Sequence, residues 1–344
     1  MNAIVVTGTG LVGPAAGGPV DGAGADNAFP GPGGQAFRAV SFDPVRELGR
    51  KPARFNHRTT LMAIAACGAA LRDAGIEVTD ANSEQIGVTL GTHCGSVGGS
   101  VAFGWESYVQ PRPGMVNPAA FPNLVINAAA GAAAIHHGLR GTNTTVAGGP
   151  AAGISALRHS ELTVRAGHVD TVVAGAAEEY GSHEAWLAAA TRPWATPGEA
   201  AGTFVVESAD TAEAAGRRPL ARVAATTVRT VDPAAVREVL DDALSSAGVT
   251  AEQVRRVALR RTGMPTLDEA ARAAVTVFSA TPRYSEAHFG DCHGAHAAVQ
   301  LVETVRTAAD EKWTEDTAGV VLALDPDGAV AVAVLTGPPA PVAG

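Results

Sequence analysis

Apolar residues recur along this chain in two rhythms, and their order sketches a fold. Short, continuous apolar runs predict buried strands at 2–7 ("NAIVVT"), 85–92, 142–147, 169–179, 201–208, 219–230 and 254–261. Between them lie longer Ala- and Leu-rich segments with helical spacing, at 58–75, 117–141, 151–167, 232–249, 267–278 and 291–309. The helix at 232–249 is the best punctuated: Asp232 can cap it, Pro233 suits its first turn, and Gly248 stands near its end. Two apolar runs around Asp325-Pro326-Asp327-Gly328 predict a closing hairpin over 318–337. The stretches 14–50 and 181–200 carry Gly, Pro and little periodicity and read as loops, and the segment at 117–141 is interrupted or started near Pro122. Strands alternating with helices predict a layered α/β protein. The order helix, strand, helix, strands occurs twice, which suggests two related halves, 1–217 and 218–344.

Composition narrows the function classes. The formal charge is −9 and no Lys/Arg-rich stripe occurs, which argues against nucleic acid as a partner. The first residues lack the features of a secretory signal, and no apolar run reaches the roughly 18 residues of a membrane span. Three widely spaced cysteines, Cys67, Cys94 and Cys292, fit a reducing compartment. A cytoplasmic protein without a membrane partner is expected.

Motifs that carry chemistry are few. Gly8, Gly10 and Gly13 spell G-x-G-x-x-G after a strand, but Pro14 and Pro19 follow where a dinucleotide site needs a helix, so the glycines read as a strand-to-loop turn and no cofactor is expected. "DCHGAHA" at 291–297 gathers Asp291, Cys292, His293 and His296, yet no second Cys/His cluster completes a metal site and no metal is expected. Cys94 follows a strand among glycines without an identifiable base. The break "TNTTVAGGPAAG" at 142–153 is the oddest feature. A strand turning sharply into a helix is where many α/β enzymes hold a nucleophile, and this chain has Pro150 there.

Three stretches, "IVVTGTGLVGP", "ARFNHRTTLMAIAACGAALRDAGI" (53–76) and above all 136–179, resemble the β-ketoacyl synthases over nearly the whole chain. The resemblance implies a thiolase-like fold, two related α/β halves in a five-layer αβαβα arrangement, and a dimer in which the strand at 142–147 pairs across the interface. In active members a cysteine carries the acyl chain, two histidines assist decarboxylation and a lysine supports one of them. Those positions fall on Pro150, Arg260, Asp291 and Glu286. Proline supplies neither the thiolate nor the backbone N–H of an oxyanion hole, and Arg and Asp do not replace neutral imidazoles. The chain is therefore similar to a non-catalytic chain length factor of a type II polyketide synthase, with a lean towards reduced, polyene-type chains. Such a subunit pairs with an active ketosynthase, meets the acyl carrier protein through that partner, and shapes the tunnel for the growing acyl chain. Phe121, Leu124, Val125 and Ala128, spaced i, i+3, i+4, i+7 on the helix at 117–135, are the expected tunnel residues. The alternatives are a different acyl-thioester chemistry (hydrolase or acyltransferase) using Cys94 or the Asp291, His293 and His296 group, and a structural homodimer.

Overall fold

The computed structural model describes residues 2–15, 18–21, 32 and 34–339, so part of the loop read over 14–50 lies outside the described residues. The strands are β1 (Ile4–Val12), β2 (Val20–Asp21), β3 (Gln35–Ala36), β4 (Ile86–Thr92), β5 (Asn143–Ala147), β6 (Thr171–Glu178), β7 (Ala200–Ser208), β8 (Ala221–Thr230), β9 (Val254–Leu259), β10 (Pro282–Tyr284), β11 (Ala318–Leu324) and β12 (Ala329–Thr336). All but β2 and β3 join one sheet in the order β10-β9-β11-β12-β8-β1-β7-β6-β4-β5. Its first five strands in the chain are ordered β5-β4-β6-β7-β1 and its last five β10-β9-β11-β12-β8, the same arrangement repeated. Parallel and antiparallel pairings repeat as well: β4 is parallel to β5 and β6 as β9 is to β10 and β11, and the other pairs within each set are antiparallel. The sets meet where β1 pairs antiparallel with β8.

Helices cover both faces of each set. Ala152–Arg165 and His296–Asp310 pack side by side between the sets, Arg58–Asp73 and Ala128–His137 cover the outer face of the first, and Val236–Ala247 and Pro265–Ala274 that of the second. This is the five-layer α/β arrangement of the thiolase-like fold. Strand periodicity distributes the core among the layers. In β12, Ala331, Ala333 and Leu335 face the central helices, while Val330, Val332 and Val334 face the outer helix Val236–Ala247. In β6, Val172, Ala174 and Ala176 face inward and Val173 and Ala177 outward. Strands buried on both faces explain the continuous apolar runs.

Gly8 and Gly10 are not a turn. Both lie within β1, and a Cβ on Gly10 would stand 2.0 Å from the carbonyl oxygen of Ala66 in the helix Arg58–Asp73. They let strand and helix backbones approach closely. The stretch 181–200, read as loop, contains the helix Ser182–Thr191, and Val97–Val109 is a further helix capped by Ser96, whose Oγ accepts from the Gly99 N–H at 3.1 Å. The short helices Pro44–Leu48 and Arg50–Phe55 likewise begin within the stretch read as loop.

Candidate functional site

Strand β5 ends at Ala147, and Gly148 and Gly149 turn the chain into a 3-10 turn, Gly149–Ala151, that leads into the helix Ala152–Arg165. Gly149 has φ +49°, a conformation that favours glycine, and a Cβ there would come within 2.2 Å of Asp325 Oδ2 and displace that side chain. Pro150 is buried in the middle of this turn, where its missing N–H leaves no helical bond unmade. The α-helix proper begins two residues after it.

Against this turn stand the residues that the family resemblance placed here. Arg260 follows the last residue of β9, and Asp291 follows the short helix Glu286–Phe289. Both are buried and joined in a two-point ion pair: Arg260 Nε donates to Asp291 Oδ1 at 3.1 Å, and Nη2 donates to Oδ1 at 3.0 Å and Oδ2 at 3.1 Å. Arg192, just past the helix Ser182–Thr191, brings its Nε within 2.7 Å of Asp291 Oδ2. Burial alone would raise the carboxyl pKa of Asp291, but the two guanidinium groups overcome it and hold the group ionised well below the usual carboxylate range. Glu286 Oε1 accepts the Arg261 N–H at 2.7 Å, and its Oε2 lies 3.6 Å from His296 Nε2.

Burial shifts the other titratable groups around the turn. His293 takes a positive φ of 42°, its N–H donates to Asp291 Oδ1 at 3.1 Å, and its ring lies 4.0 Å from that of His93. Burial, then Arg192 and His93, push the His293 pKa down to about 2, so the ring is neutral. Burial also lowers His296. Burial, then Glu178, raises the Cys94 thiol, which disfavours a thiolate. Cys292 is buried, with its thiol donating to the Phe289 carbonyl. Among the described residues, no group of three or more His, Cys, Asp or Glu is arranged to hold a metal ion.

A cleft of about 570 Å³ opens over this site, lined by Gly148, Gly149, Arg192, Trp194, Arg260, His93, His293, Asp325 and Asp327 among others. Beside it, Glu178 is fully buried and accepts from Thr92 Oγ1 at 2.8 Å and from the His93 N–H. Burial raises the Glu178 pKa to about 8 and that of its neighbour Glu179 to about 7. Arg192, His93 and Glu178 are absent from the sequence-derived set. Two successive acids ending the apolar run 169–179 were the only visible signal; nothing in local spacing announces Arg192.

The expected tunnel residues are arranged differently from the prediction. Pro118–Asn123 is a 3-10 helix containing Phe121 and Pro122, and the α-helix Ala128–His137 begins only at Ala128, so the four residues do not share one helical face. Pro122 lacks the N–H that a continuous α-helix requires. Phe121 is exposed and meets Phe103 edge-on at 6.4 Å, and Leu124 is half-buried. Val125 and Ala128 do come together, lining a narrow pocket with Thr59, Leu90, Ile126 and Thr145.

A solved structure titled the ishigamide ketosynthase/chain length factor is 32% identical, with a TM-score of 0.81 over 97% of this chain and 99% of that one. The chain belongs to the β-ketoacyl synthase family. The model of the β-ketoacyl synthase N-terminal domain matches residues 36–205. The 3-oxoacyl-[acyl-carrier-protein] synthase 2 of Vibrio cholerae serotype O1 is 27% identical over 312 residues, covering 78% of this chain and 74% of the relative. A β-ketoacyl synthase from Burkholderia phymatum shares the fold, with a TM-score of 0.83 at 17% identity over 98% of this chain and all of that one. Within this ketosynthase-like fold, the turn holding Pro150 packs directly against the segment 293–295 that follows Asp291.

Proposed function

We propose that this chain is a non-catalytic ketosynthase-like subunit, a chain length factor, that pairs with an active ketosynthase and shapes the tunnel receiving a growing polyketide. The observation that carries the reading is the chemistry at the family's reacting positions. Pro150 has neither thiol nor N–H, and the places of the two imidazoles hold Arg260 and Asp291, paired to each other. Condensation needs a thiolate to carry the acyl group and N–H donors for the developing negative charge. A buried guanidinium already committed to a carboxylate offers no proton-accepting site. We assign the halves to 1–217 and 218–344. The lean towards reduced, polyene-type chains rests on the divergence at Pro150 and on short segments at 181–200 and 255–285.

A large apolar surface supports the pairing. Val101, Trp105, Tyr108, Met115, Phe121, Val125, Ile126 and Ile135 are all exposed. They lie on or between segments that pack on one another, the helix Val97–Val109, the 3-10 helices Pro113–Met115 and Pro118–Asn123 and the helix Ala128–His137, and the last of these also packs on the edge strand β5, whose outer side has no neighbour in the sheet. The carrier protein is assigned to the partner, where the acyl chain is held.

The test is co-expression with a ketosynthase encoded nearby, followed by the mass of the complex and of its product. A 1:1 heterodimer whose product shortens when Ala128 is replaced by Phe is the expected result. A homodimer that ignores the ketosynthase, or an isolated chain that turns over acyl thioesters, overturns the reading.

A further inference from the structure

The cleft of about 570 Å³ over Pro150 has room for a small molecule. Its lining carries two arginines, Arg192 and Arg260, and two aspartates, Asp325 and Asp327, so it is charge-neutral as a whole. Its floor nevertheless holds an unused donor. Arg260 is 3% exposed and lines the cleft, whereas its partner Asp291 stands behind it and does not. Nε and Nη2 form the edge of the guanidinium turned to that carboxylate. In the planar fork Nη1 lies away from this edge, and it is buried with no hydrogen-bond partner among the described residues. Leaving a buried charged donor unpaired is costly, and a ligand oxygen relieves it. Arg192 shares Asp291 with Arg260, so two guanidinium groups meet one carboxylate and one positive charge on the floor is in excess. His93 and His293, whose pKa values burial lowers, are neutral and leave that excess in place. The walls are largely apolar, with Ala147, Leu187, Trp194, Pro326 and Ala329. Trp194 is seated firmly: a Cβ on Gly263 would stand 1.9 Å from its ring.

We propose that the cleft over Pro150 is a binding site for a free alkyl monocarboxylate, whose head accepts a hydrogen bond from Arg260 Nη1 and whose tail lies along Leu187, Trp194 and Pro326. One carboxylate matches the one charge in excess on the floor and forms a charge-assisted hydrogen bond there. A neutral amide of the same length accepts the same bond but leaves the charge unmatched. A dicarboxylate of that length brings a second negative charge towards Asp325 and Asp327, which line the cleft from the hairpin turn between β11 and β12. The site belongs to this chain and is measured by ligand binding to it, whereas the function proposed above is read from complex formation, so either can fail without the other.

The experiment is a calorimetric titration of the full chain with octanoate, octanamide and octanedioate. The wild type is expected to bind octanoate about tenfold more tightly than either of the others. Arg260→Met removes the head contact and keeps the pair between Arg192 and Asp291, and it should bind octanoate no better than octanamide. Trp194→Ala, at a half-exposed position on the wall, should weaken octanoate about threefold and keep its preference over octanamide; it covers the case in which Arg260→Met misfolds. Equal binding of octanoate and octanamide by the wild type, a preference that survives Arg260→Met, an octanoate affinity unchanged by Trp194→Ala, or no binding of octanoate at millimolar concentration overturns the site.

Discussion

Asp291 makes its environment by being shared between two cations, and removing its charge leaves Arg260 and Arg192 facing each other. Arg260 is 3% exposed, so this repulsion is only weakly screened. Asp291→Asn is expected to cost about 3–5 kcal/mol, read from a denaturant midpoint, whereas replacing Arg260 and Asp291 together by apolar residues of similar size costs much less. Because the carboxyl pKa is depressed in the folded chain, its stabilisation is complete above the ordinary aspartate range and fades only as pH falls through and below that range. Glu178 and Glu179 have the opposite sign. Their pKa values are raised from 4.5 to about 8 and about 7, so stability is greatest below pH 4.5 as far as these two groups decide it. It falls as pH rises through 7 and then 8. Thermal melts of the wild type should therefore drop between pH 5.5 and 8.5. Glu178→Gln, which keeps an acceptor for Thr92 and His93, should flatten that slope. Nucleophile restoration gives a third test: Pro150→Cys should load no detectable acyl group by intact-protein mass, because Arg260 and Asp291 stay paired to each other where the resemblance places the two assisting imidazoles.

Elements were legible where their apolar faces meet this chain's own core. The strands β4, β6, β7, β11 and β12 are buried throughout or nearly so, and their runs of Val, Ala and Leu stand out in the sequence. The helix Val97–Val109 was missed for the opposite reason. Val101, Trp105, Tyr108 and Val109 follow the i, i+4, i+7, i+8 spacing of a helical stripe, but that stripe is exposed and lies among glycines. The helix Ser182–Thr191 is short, Ala-rich and followed by Pro193 and Pro197, so its spacing carries almost no period. At the other extreme, β1 extends past the predicted residue 7 because Gly8 and Gly10 serve packing and not a turn. Gly10→Ala drives a methyl group into the Ala66 carbonyl and should cost about 3 kcal/mol or more, seen as a lowered melting temperature with the same secondary structure.

At the scale of the whole molecule, the site was legible through residue types and the surface was not. Pro150, Arg260, Glu286 and Asp291 could be set against a known pattern one by one, while Arg192 reaches the same point from a remote helix end that no local pattern marks. The apolar surface is likewise spread over segments from Val101 to Ile135, which folding gathers when the helices Val97–Val109 and Ala128–His137 both pack on the 3-10 helix Pro118–Asn123. Tyr108 is 85% and Ile135 86% exposed, values that a chain with a well-filled core has no internal reason to tolerate together. If that patch is the interface with a ketosynthase, charge placed on it must act on assembly and not on folding. Trp105→Asp and Ile135→Asp remove no contact with the chain's own core, so the melting temperature of the isolated chain should shift by less than about 1 °C, as for other surface changes. The same variants should lose co-purification with the ketosynthase, because an unpaired carboxylate would be buried at the centre of the contact. A heterodimer that survives both substitutions would move the interface away from this patch, and with it the proposal that the pocket lined by Val125 and Ala128 belongs to the tunnel.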